Sequence, residues 1–276
     1  MSEIEQVIET RVLTEQSKKN YRNYYRKIKG VLGKDIHITE QEDLISMIDD
    51  ISNDKVSNKL AFVNICMLVN NLYDSPVDLL NEYRFKLFAQ RDKDNTAKKE
   101  LDLPEYKDVK KYIDGLTGVK YIVNYLIFTY GVRNKDVNVF ITNRKLAKNI
   151  DDENNYLIIK NKEIEWVRND YKTVQSYLQQ RIVIKAKKFM EIVKSLPLET
   201  WLLSGTATPI SPTSLNNTVS RMLYKYKDKH MSEGEYFKLN VKHLQTQTNS
   251  YTKILKLGSI RGTNPETIEG YYNLSK

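Results

Sequence analysis

The side chains of this 276-residue chain that could do chemistry fall in four short stretches. In "YGVRNKD", Arg133 follows a bend at Gly131, with Asp136 three residues on. In "DYKT", Lys172 stands where a strand runs into a turn, and "KHLQTQ" sets Lys242, His243 and Gln245 at the start of a helix. The fourth, "RGTNPETIEGYYNLSK", carries Tyr271 and Tyr272 side by side on a short helix behind a Gly-Thr-Asn-Pro turn. Cations of these types can hold an anion, and a tyrosine hydroxyl can act as a nucleophile. Each also has a plain structural reading: an arginine at a helix end caps exposed carbonyls, and a hairpin lysine is simply solvated.

Other chemistries lack the residues they need. There is no Gly-rich phosphate loop, no metal-ligand spacing and no Ser-His-Asp ordering. The single cysteine, Cys66, lies in the apolar run "AFVNICMLVNNL" and reads as a buried core thiol, which excludes a disulfide framework and a cysteine zinc site. Three histidines, His37, His230 and His243, are too few for a histidine-rich metal centre, so neither metal nor cofactor is expected.

The formal net charge is +9, with Lys+Arg minus Asp+Glu equal to −1 over residues 1–100 and +10 over 101–276. A polyanionic partner is expected, bound on one basic face. Mean hydropathy is −0.57 and no apolar run reaches the length of a membrane span. The start, "MSEIEQVIET", lacks a basic and apolar signal, so an intracellular protein is expected.

The elements that must position these residues divide into two groups. Residues 1–92 read as helices. Thr14 caps one in which Tyr21, Tyr24, Tyr25 and Ile28 form an apolar stripe, while Lys18, Arg22 and Arg26 share another face. "VSNKLAFVNICMLVNNLYD" is apolar on most sides and is the expected centre of the bundle, and Pro76 opens a fourth helix. Residues 93–102, within "RDKDNTAKKE" and just after it, read as a linker. Residues 103–276 begin with helices at Pro104 and in "VKYIVNYLIFTYGV", pass through strands in "VNVFIT", "NYLIIK", "EIEWVRNDYK" and "RIVIK", and return to helix in "AKKFMEIVKSL", "SPTSLNNTVSRMLYKYKDK", "VKHLQTQTNSYTKILKL" and "PETIEGYYN". The expected class is mainly α with a small antiparallel sheet, an α+β fold in two domains.

Taken in order, "YGVRNKD", a hairpin lysine, a "KHLQ" helix and a terminal "RGTNPETIEGYYN" resemble the catalytic domain of the tyrosine recombinases, the phage-type integrases. Gly131, Arg133 and Asp136 match that family's G-x-R-x-x-[ED] segment, and Lys172 matches its β-hairpin lysine. "GTNPETIEGYY" is similar to integrase endings of the form G-T-S-x-x-x-I-E-x-x-Y, and that register selects Tyr272 as nucleophile. "YGVRNKDV" also resembles recombinases of large DNA viruses, and "TEQSKKNYRNYYRKI" is similar to the start of the family's helical core-binding domain. At the second-arginine position stands Gln245, at the second-histidine position Thr263, and at the H-x-x-R histidine Lys242, with His243 one step away.

The resemblance implies cleavage and rejoining of duplex DNA through a 3′-phosphotyrosine, without a cofactor, by subunits that associate on DNA as dimers or tetramers. Arg133 would clamp the non-bridging oxygens, Lys172 would protonate the leaving 5′ oxygen, and Lys242 or His243 would assist proton movement or phosphate binding. Lys18, Arg22, Arg26, Arg261 and Thr263 would contact DNA. Glutamine at 245 supplies donors without charge, and by analogy with arginines in phosphoryl transfer its presence lowers the rate by roughly 10³ to 10⁵. A catalytically silent DNA-binding relative and a topoisomerase without a defined site are the alternatives, beside an unrelated basic α+β protein.

Overall fold

A computed structural model describes residues 3–11, 13, 15–97, 103–171 and 173–269. Thr14, Lys172, Tyr271 and Tyr272 therefore lie outside the described residues, as do residues 98–102 of the expected linker. The chain forms two compact units, residues 1–98 and 99–276.

The first unit is a helical bundle: α1 (Glu3–Thr10), α2 (Glu15–Leu32), α3 (Gln41–Ile51), α4 (Val56–Leu72) and α5 (Asp78–Ala97). The stripe on α2 behaves as its spacing requires, with Tyr25 and Ile28 buried and Tyr21 and Tyr24 packed at the margin of the core. The apolar α4 buries Phe62, Val63, Ile65, Cys66 and Val69. Burial pushes the Cys66 thiol up to about 12, which leaves it protonated and inert. Helix α5 runs on to Ala97, so the first five residues of the expected linker are helical, and Pro76 precedes the helix rather than standing in its first turn.

The second unit opens with α6 (Tyr106–Gly115) and α7 (Gly118–Tyr130), the latter starting after Thr117 and buried along most of its length. Strands β1 (Val139–Asn143), β2 (Asn155–Ile159) and β3 (Ile164–Arg168) follow, then a turn of helix α8 (Val174–Tyr177), β4 (Gln180–Ile184), α9 (Lys187–Lys194) and β5 (Thr200–Trp201). The five strands make one sheet in the order β4-β3-β2-β1-β5. Its inner face, with Val139, Ile141, Leu157, Ile164, Trp166 and Ile184, joins the core built on α7. The sheet is mixed rather than antiparallel, because β1 and β2 run parallel while the other pairs are antiparallel.

Beyond the sheet come α10 (Pro212–Met222), β6 (Lys225–Tyr226), β7 (Lys229–His230), α11 (Glu233–Gln245), α12 (Ser250–Arg261) and the short α13 (Pro265–Thr267). Two expected helices are thereby corrected. The one drawn from Ser211 to Lys229 stops at Met222, and a hairpin replaces its end, with Lys227 and Asp228 at φ 45° and 61°, the left-handed pair a two-residue turn demands. The one drawn from Val241 to Leu257 is two helices, since Asn249 at φ 57° stands between α11 and α12.

Asn124 ties these parts together from inside the core. It donates to Met222 O at 2.9 Å and accepts from the Tyr236 hydroxyl at 2.7 Å, so a buried amide is satisfied by α10 and α11 at once. Among the described residues no helix is long and apolar enough to cross a membrane.

Candidate functional site

Helix α7 ends at Gly131, whose φ of 64° is left-handed and whose missing side chain matters. A Cβ there would come to 2.7 Å from the Phe237 ring on α11. The chain then turns through Arg133 into a 3₁₀ helix at Asn134–Val137, and Asp136 Oδ2 accepts the Arg133 backbone N–H at 2.9 Å.

Asp136 is the hinge of a buried ionic cluster. Its Oδ2 also accepts from Arg168 Nη2 at 2.8 Å, and both side chains are wholly buried. Arg168 donates further to Ile260 O and, at 2.6 Å, to Gln180 Oε1, and its guanidinium stacks 4.5 Å from the Tyr171 ring. Burial pushes the Asp136 carboxyl above its ordinary value against the pull of Arg168, Arg133 and Arg261, and it pushes Arg168 down. Neither Arg168 nor Glu233 was among the residues expected from sequence. Each is a charge inside a folded element, and only its partner, far along the chain, reveals its role.

Residues 261–263 fold onto this cluster. Arg261, the last residue of α12, donates to the carbonyls of Gly131 and Val132 and to Glu233 Oε1 at 3.2 Å. It is 3% exposed, so the arginine expected to contact DNA braces the protein interior instead. Arg133 Nη1 donates to Arg261 O and Nη2 to Thr263 Oγ1 at 3.3 Å. Gly262 has φ 67°, and a Cβ on it would run into Thr173 Oγ1, which donates to Gly262 O at 3.1 Å. Arg133, Thr263 and both described neighbours of Lys172, Tyr171 and Thr173, thus converge from three distant parts of the sequence.

The remaining expected residues are distributed elsewhere. Lys242, His243 and Gln245 occupy the last turn of α11, not a helix start, because Ser232 and Glu235 form a capping box that starts the helix at Glu233. Lys242 is exposed. His243 stacks on Tyr106 of α6, with ring centroids 3.7 Å apart, and its Nε2 lies 2.8 Å from Gln247 Nε2. Gln245 lines a small apolar pocket with Val241, Tyr251, Ile254, Pro265 and Ile268. In the first unit, Arg22 pairs with Glu9, Lys18 lies 3.8 Å from Glu9 and 3.2 Å from Glu15, and Arg26 lies 2.6 Å from Glu5. These three cations therefore fasten α1 to α2.

No family model, curated protein or solved structure matches this chain.

Proposed function

We propose that this protein cleaves and rejoins duplex DNA through a covalent 3′-phosphotyrosine, with Tyr272 as nucleophile. The observation that carries this reading is the hydrogen bonding of Arg133 to Arg261 and Thr263, which joins the "YGVRNKD" turn to the segment that leads into the two tyrosines. A guanidinium beside a nucleophile is the arrangement that phosphoryl transfer needs. Negative charge grows on the non-bridging oxygens as the tyrosine oxygen bonds to phosphorus, and Arg133 neutralises it. Lys172 gives its proton to the departing 5′ oxygen; its sequence neighbour Thr173 is bonded to Gly262, next to the Thr263 that Arg133 contacts. Reversal by a 5′ hydroxyl reseals the strand with no cofactor.

A second reading has one observation in its favour. Gln245, neutral and set among Val241, Tyr251, Ile254 and Ile268, suits a protein that holds DNA without cutting it.

One experiment separates the two: incubation with a nicked duplex whose short 5′-hydroxyl fragment diffuses away after cleavage, followed by denaturing electrophoresis. Strand transfer predicts a denaturant-stable adduct, increased by Gln245→Arg. Salt-sensitive binding with no adduct in either form would favour the silent reading, and no binding at low salt would dismiss both.

A further inference from the structure

Three aromatic rings form a row across the outer face of the sheet. Phe140 is in register with Tyr156 on the parallel side and with Trp201 on the antiparallel side. Their ring centroids lie 6.2 and 5.6 Å from that of Phe140, inclined at 83° and 67°. Strand alternation explains the row, because the intervening Ile141 and Leu157 point into the α7 core. The rings line a cavity of about 220 Å³.

Carboxylates border the same cavity. Glu199 belongs to it through an unusual backbone, φ 56°, held by its N–H to Ile141 O at 2.8 Å, and its Oε1 accepts from Thr142 Oγ1 at 2.7 Å. Asp151 accepts the backbone N–H groups of Glu153 and Asn154 at 3.0 and 2.8 Å. Burial would raise the Asp151 carboxyl, but hydrogen bonds from Asn154 and Tyr156 outweigh it and hold the group below its ordinary value, so it is ionised at neutral pH. Burial and Asp151 push the Tyr156 hydroxyl up to about 12, which keeps it a neutral donor. Among the described residues no lysine or arginine lines the cavity, although the chain carries a net charge of +9.

Ring faces are negative at their centres and attract cations, and two carboxylates reinforce that preference. The volume is below that of ordinary small-molecule pockets, about 300 to 1,000 Å³, and suits a single head group. We propose that this cavity binds the ammonium or guanidinium head of a lysine or arginine side chain presented by a protein partner.

The test uses the fluorescence of Trp201 in the full chain, since the other tryptophan, Trp166, is fully buried on the inner face. Titration with N-acetyl-lysine methylamide and its arginine counterpart is expected to give a saturable change, with the uncharged norleucine analogue at least about tenfold weaker. Glu199→Gln and Asp151→Asn, which keep hydrogen-bonding groups in place, should each weaken binding about fivefold without lowering the melting temperature by more than a few degrees. Trp201→Phe should abolish the signal. Equal binding of the norleucine analogue, tighter binding of free spermidine than of the lysine compound, or no saturable change with either cation would overturn the proposal.

Discussion

At Asp136 a single carboxylate oxygen takes donors from two elements, the Arg133 N–H at the end of α7 and the Arg168 guanidinium at the end of β3. Neither side chain of the ion pair meets solvent, so removing one charge strands the other. Asp136→Asn should cost about 3 to 5 kcal/mol in urea unfolding, and replacing both residues, as Asp136→Asn with Arg168→Met, should cost less than the single change. A single-mutant loss under about 1 kcal/mol would contradict the buried pair. The position of Asp136 was legible in the sequence as part of a motif. Arg168 was not, because an arginine inside "EIEWVRND" carries no local sign that its carboxylate lies 32 positions earlier. The acceptors of Arg261, at Gly131, Val132 and Glu233, are likewise remote in sequence and leave no local sign.

The elements were legible where periodicity is strong. The tyrosine stripe of α2, the apolar α4 and α7, and four strands follow from spacing and β-branched content. What alternation does not encode is the direction of a neighbouring strand, so the parallel pairing of β1 with β2, reached through a 3₁₀ turn at Leu146–Asn149, was missed. Helix ends were the other failure. The capping box at Ser232 and Glu235 places Lys242, His243 and Gln245 in the final turn of α11, where cations and the helix C-terminus attract each other. Ser232→Ala removes the acceptor for the Glu235 N–H at 3.2 Å and should lower stability by about 1 kcal/mol in chemical denaturation. No measurable change would mean that the cap contributes nothing to holding α11.

On the scale of the molecule, residues 101–276 carry a charge of +10 against −1 for residues 1–100, so under the proposed reading the second unit would supply most of the attraction for DNA. Because Arg22, Lys18 and Arg26 already face Glu5, Glu9 and Glu15, replacing all three with glutamine should leave the salt dependence of duplex binding nearly unchanged while destabilising the α1–α2 pair. If they contacted phosphates directly, the slope of log affinity against log salt would fall by about 2 to 3. In the folded protein Arg22 and Arg26 pair with glutamates of α1 at the protein surface, and Lys18 lies near Glu9 of α1 and Glu15 of its own helix. Arg133 is bonded to Arg261 and Thr263, a few residues before the two tyrosines in sequence, and the proposed reaction rests on that junction. The most direct measurement is covalent trapping of nicked duplex DNA by Tyr271→Phe and Tyr272→Phe side by side. Strand transfer through Tyr272 predicts an adduct with the first and none with the second; an adduct that survives Tyr272→Phe would contradict it.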